Sequence, residues 1–182
     1  MLLLALFQFA TLVDKSAIDQ LAMAHLVPPQ VAEAVAYSET GSGARWRALG
    51  PGTEVVGDDG IVRRTCREVG RYQLKPCINW AKRLGDPRCT VQNLRTNLAI
   101  STECGIENLS YLATHKCQAS QRGEPMRQGE PRPSHTAGPL WLSQGDVWLC
   151  VIRSHNGSGP LADAYLLKAL SYIGWSQVME LR

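Results

Sequence analysis

The sequence predicts an α+β protein that is mostly α, with one small β-hairpin element. Three observations carry that prediction. Apolar residues recur at helical spacing in several stretches, and proline and glycine punctuate them. Only residues 44–70 place β-branched pairs, Val55-Val56 and Ile61-Val62, around an Asp-Asp-Gly turn. With 182 residues and 45% hydrophobic content, the chain is long enough to bury a core as one principal domain over residues 27–182.

The elements follow in order. Met1 to Val13 is apolar enough for a signal h-region, but no basic segment precedes it and no small-x-small cleavage site follows. It is also shorter than the roughly 20 residues a bilayer span needs, so no stable membrane span is expected. Residues 1–26 therefore read either as an uncleaved signal-like segment or as a first helix from Leu2 to His25. Pro28-Pro29 opens the next helix, Gln30 to Glu39, which Gly41 and Gly43 end. Residues 44–70 form the β-excursion, with Gly57-Asp58-Asp59-Gly60 as its turn. Pro76 starts a helix to about Leu84, and Thr90 can cap a longer one carrying Leu94, Leu98, Ile100, Ile106, Leu109 and Leu112 over some six turns. Residues 118–139 repeat Gly-Glu-Pro at 123–125 and 129–131, a composition that predicts a mobile loop insertion. The last two helices are residues 145–155 and 161–173, split by Gly157-Ser158-Gly159-Pro160.

Charge and cysteines narrow the function classes. The net charge of +3 is mildly basic, but no Lys/Arg cluster alternates with aromatics, which argues against nucleic acid. Mild basicity suits an anionic polymer. Six cysteines (66, 77, 89, 104, 117 and 150) include no Cys-x-x-Cys pair and no His spacing of a zinc site, so neither metal nor cofactor is expected. An even, scattered set reads as disulfides in an oxidising compartment, with buried free thiols as the alternative. Of the 15 possible pairings, Cys66 with Cys77 is the one expected to close a short loop.

The chemistry begins at Glu39. Val31, Val35 and Glu39 are four apart, so one helical face carries two valines and then a carboxylate. Burial against apolar surface disfavours a charged carboxylate, which is how proteins keep a general acid protonated near neutrality. Downstream come Gly70-Arg71-Tyr72-Gln73-Leu74-Lys75-Pro76, then Asn97-Leu98 opening a helical pattern with Tyr111-Leu112, and finally Ile152-Arg153-Ser154-His155-Asn156-Gly157. In this order the segments resemble the landmarks of the lytic transglycosylase family related to goose-type lysozyme: a helix ending Glu-Ser, Gly-Leu-Met-Gln-x-x-Pro, an Asn-led helix with Tyr-Leu, and Ala-Tyr-Asn-x-Gly. The resemblance spans roughly Val27 to Trp175.

That resemblance implies a lysozyme-like fold with a groove for peptidoglycan glycan strands, in a protein acting at the periplasm or cell wall. The carrier would be a virion or a secretion machine, whose other proteins would be its partners. It implies Glu39 as the single catalytic acid and base, and Thr40, Tyr72, Gln73, His155, Asn156 and Tyr165 as substrate contacts. Thr40 stands where the family has serine and keeps its hydroxyl. Arg71-Tyr72 replaces Leu-Met, and His155 replaces the tyrosine beside the glutamate. A hydrolytic lysozyme would need a second carboxylate to hold water, for which Glu54, Asp58 and Asp59 are nearest; a degenerate wall-binding module is the third reading. A protonated His155 next to Glu39 would weaken the acid. Activity is then expected to fall earlier on the acid side than in His155→Tyr, and identical pH–rate profiles would overturn that coupling.

Overall fold

The structure is a computed structural model that describes residues 14–41, 44–50, 52–56, 62–75, 86–118, 147–156 and 159–173. Most of these residues are helical and few are in strands, as the sequence predicts. The helices are α1 (residues 14–24), α2 (Pro29–Thr40), α3 (Val91–Thr96), α4 (Leu98–Tyr111), α5 (Val147–His155) and α6 (Pro160–Ile173). A 3-10 turn covers Ala44–Arg47, and a π-helical turn, Leu112–Cys117, extends α4. Strands β1 (Gly52–Val56) and β2 (Val62–Arg67) pair antiparallel, with a register shift at Val55/Val56. The expected Pro76–Leu84 helix, the 118–139 insertion beyond Gln118, and Cys77 with its pairing to Cys66 lie outside the described residues. Among the described residues, no helix is long and apolar enough to cross a membrane.

The chain divides into two compact units. One comprises residues 1–38 and 109–182, the other residues 39–108. In the first, α1 ends in a left-handed residue, Leu26 at φ 57, and the Val27 N–H reaches back to the Ala22 carbonyl at 2.9 Å. Ile18 and Ala22 of α1 and Val31, Ala32, Val35 and Ala36 of α2 are completely buried. Their period of three to four residues gives each helix one apolar face. Lys15 of α1 pairs with Glu33 of α2. Partial burial of Glu33 nonetheless leaves its carboxyl above the ordinary range. Helix α5 packs against α6 and against the π-helical turn, where Cys117 is bonded to Cys150. Arg153 of α5, largely buried, donates from Nε to Asp163 of α6 at 2.5 Å.

In the second unit Thr90 caps α3 as expected, its hydroxyl accepting the Asn93 N–H at 3.2 Å. The single long helix read from the apolar spacing is instead two. Asn97 is extended (φ −122, ψ 107), and its side-chain oxygen accepts the Ile100 N–H at 3.1 Å. It ends α3 and caps α4, because a short polar side chain that bonds nearby amides competes with the helix itself. Cys89 and Cys104 form a disulfide that ties the start of α3 to the middle of α4. Beside it, Asp86 accepts from Arg88 at 2.7 Å, which holds the Asp86 carboxyl below the usual range. That contribution is present above the ordinary aspartate pKa and is lost as pH falls through the lowered one.

Both pairings close loops of known length, and this sets an expected cost for losing them. Separations of 15 and 33 residues correspond to roughly 3 and 4 kcal/mol of unfolded-state entropy. Cys89→Ser/Cys104→Ser should therefore lower the unfolding free energy by about 3 kcal/mol in denaturant titrations; an unchanged midpoint would contradict it.

Candidate active site

Glu39 lies in the last turn of α2, half-buried, on the face that begins with the fully buried Val31 and Val35. Thr40 follows it and is buried, and Gly41 at φ 66 stops the helix in the left-handed region. The Thr40 hydroxyl donates to the Arg71 carbonyl at 3.3 Å, a contact across 31 residues of sequence. The structure thus joins the end of the glutamate helix to the Gly70–Gln73 segment, two of the sequence motifs.

That segment is a tight turn. Val69 and Leu74 pair through two reciprocal 2.8 Å bonds and flank Gly70-Arg71-Tyr72-Gln73. Gly70 adopts φ 80, and a Cβ there would lie 2.5 Å from the Ser101 hydroxyl, so only glycine fits. The same hydroxyl accepts the Arg71 N–H at 2.7 Å. Gln73 is also left-handed, at φ 47, and its side-chain amide donates to the Gly70 carbonyl at 2.8 Å. A non-glycine residue in this region is disfavoured and persists only where its surroundings enforce it, which is common at binding and catalytic sites. The Gln73 amide oxygen lies against Gly50, where a Cβ would sit 2.3 Å from it.

Tyr72 departs from expectation. Rather than lending a ring face to a sugar, it is completely buried. A Cβ on Gly105 of α4 would sit 2.1 Å from its ring, so the missing side chain at Gly105 is the space Tyr72 occupies. It is a packing residue that anchors the turn from beneath.

His155, Asn156 and Tyr165 belong to the other unit. His155 ends α5 half-buried, and Asn156 follows it, exposed. The His155 ring is 6.2 Å from that of Tyr165, tilted by 32°. Tyr165 is itself largely buried, and its hydroxyl donates to the Val35 carbonyl of α2 at 3.5 Å. It braces that helix. Tyr172 stacks on Tyr37 at 6.1 Å. Two contributors escaped the sequence reading: Ser101, whose only signal was a small polar residue inside an apolar helix, and Lys168 of α6, whose ammonium donates to the Ser38 carbonyl.

Of the alternative carboxylates, Glu54 falls in β1 opposite Thr65, while Asp58 and Asp59 lie outside the described residues. For metal binding, Asp86, Cys89, Cys104 and Glu107 hold ligand-type atoms within 4.8 Å of one another. The two sulfurs are bonded to each other, which leaves only two carboxylates, a sparse set for any cation.

Comparison with family models, curated proteins and solved structures yields no match for this chain.

The Thr40–Arg71 contact can be tested directly. Thr40→Val keeps the shape but removes the hydroxyl's bond to the buried Arg71 carbonyl, at about 1–2 kcal/mol, equivalent to a Tm lower by roughly 2–8 °C in a chain of this size. Thr40→Ser should retain most of that stability. Equal melting temperatures for the two variants in calorimetry would exclude the bond as a structural element.

Proposed function

We propose that the protein is a peptidoglycan-cleaving enzyme of the lytic transglycosylase type, built on a lysozyme-like fold, with Glu39 as its acid and base. The observation that supports this most is the bond from Thr40 to Arg71. It joins the end of the helix that carries Glu39 to the strained turn that carries Gln73, a carboxylic acid and an amide of the kinds that sugar chemistry uses. A β element with the Glu54 region would flank one side of the groove.

The chemistry needs one carboxyl group. The Glu39 carboxyl donates its proton to the glycosidic oxygen as the bond to the MurNAc anomeric carbon breaks, which releases a GlcNAc hydroxyl. The resulting carboxylate takes the proton from the MurNAc C6 hydroxyl as that oxygen bonds to the anomeric carbon. A 1,6-anhydromuramyl end forms, the glutamate is protonated again, and no water is consumed. The N-acetyl group can assist at the electron-poor centre. Two disulfides fit an exported protein working in an oxidising compartment. Delivery by a virion or secretion machine, for local penetration of the wall, suits that placement.

Digestion of purified sacculi with mass spectrometry of the products tests the reading. Anhydromuropeptides are expected, and Glu39→Gln should reduce their release by roughly 10²- to 10⁴-fold, the usual contribution of a general acid. Reducing ends would point instead to a hydrolytic lysozyme, and no release to a wall-binding module.

A further inference from the structure

A cleft of about 320 Å³ opens in the 39–108 unit, lined by Arg47, Gln92, Arg95 and Thr96. It lies where α3 packs on the 3-10 turn Ala44–Arg47, a contact outside the Glu39 and Gln73 segments described above. Two constraints shape it. The Arg47 guanidinium is 5.0 Å from the ring centroid of Trp46, which is itself buried. From the other side, Arg95 Nε donates to the Arg47 carbonyl at 3.4 Å. That bond occupies one of the five N–H donors of Arg95 and leaves its terminal amino groups free for a ligand.

The charge balance makes the cleft unusual. Arg88 is matched by Asp86 and Glu103, at 2.7 and 3.1 Å, and Arg153 by Asp163 at 2.5 Å. No carboxylate among the described residues lies within ion-pair distance of Arg47 or Arg95. Two permanently charged arginines therefore line one space of ligand size, together with Gln92 and Thr96. The Thr96 hydroxyl donates its proton to the Gln92 carbonyl at 2.9 Å, so it presents lone pairs rather than a donor. Two guanidinium groups without a counter-charge suit an anion, and a carboxylate, like a phosphate, matches their geometry with paired N–H···O bonds.

We propose that this cleft binds a free carboxylate of the peptidoglycan stem peptide. The assignment rests on the cell-wall reading above. The sugar backbone of that polymer is uncharged once its lactyl groups are amide-linked, so its carboxylates belong to the peptide. The cleft would thus make the protein prefer strands that still carry their stems.

Titration of the protein with free stem tetrapeptide, followed by NMR of the arginine Nε–H signals, tests the cleft without cleavage. The Arg47 and Arg95 signals should shift with the acid peptide and not with the same peptide amidated at its carboxyl groups. Arg47→Gln/Arg95→Gln should bind at least about tenfold more weakly while staying folded, because both side chains are exposed. No shift, equal shifts with the amidated peptide, or tighter binding of inorganic phosphate would each overturn the assignment. On intact sacculi the double variant should be slower, and on amidase-stripped glycan strands it should match the native chain; equal loss on both would also overturn it. If the native chain binds the peptide but releases no muropeptide, the cleavage reading fails and the cleft stands. If it cleaves both substrates and does not bind the peptide, the cleft alone fails.

Discussion

Both backbone polar groups of Arg71 are held by side chains from helices, and the geometry of the candidate site depends on that one residue. Its N–H goes to the Ser101 hydroxyl in α4 at 2.7 Å, and its carbonyl takes the Thr40 hydroxyl at the end of α2 at 3.3 Å. Buried backbone groups must find partners, so the turn cannot slide along either helix without leaving one of them unmet. Everything specific about the turn follows. Gly70 is forced by the closeness of Ser101, Tyr72 points into the gap left by Gly105, and Gln73 is held in a backbone region it would not choose alone.

Helix α4 is rigid enough to serve as the other jaw of this clamp. Cys104 lies three residues after Ser101, on the same side of the helix, and its disulfide to Cys89 fixes that side to the residue just before the α3 cap. Gly105 follows, and through it Tyr72. The exposed pairs of Arg88 with Asp86 and Glu103 decorate this region, but screened surface ion pairs contribute little. The covalent link and the buried bonds are what hold it.

The legible parts of the sequence were those encoded locally. Thr90 announces a helix start because a cap acts within three residues, and the α2 apolar face shows in the spacing of Val31 and Val35. The break between α3 and α4 hid inside a continuous apolar pattern, since Leu94 and Leu98 keep helical spacing across it. The site was legible as residue types but not as contacts. Thr40 looked like a conservative exchange for serine, and only the fold reveals that its hydroxyl crosses 31 residues to a carbonyl. Tyr72 looked like a sugar platform because it stands in the motif before Gln73, where the resembled family has methionine; its burial is decided by Gly105, 33 positions later, which no local pattern contains.

A one-carboxylate mechanism makes an unusual demand on such a scaffold. The same group must reach a leaving oxygen in one step and a different attacking oxygen in the next, so an error in its mounting is felt twice. Loops tolerate such errors poorly, whereas helices hold a side chain closely. Here the last turns of α2 are held from α6 as well as by their own ladder. The Tyr165 hydroxyl takes the carbonyl of Val35, one helical turn before Glu39, and the Lys168 ammonium takes that of Ser38, the residue before it. Helix-end carbonyls lack partners within the helix, and a lysine there supplies one with a matching charge. The backbone just before the glutamate is therefore held at two carbonyls from α6.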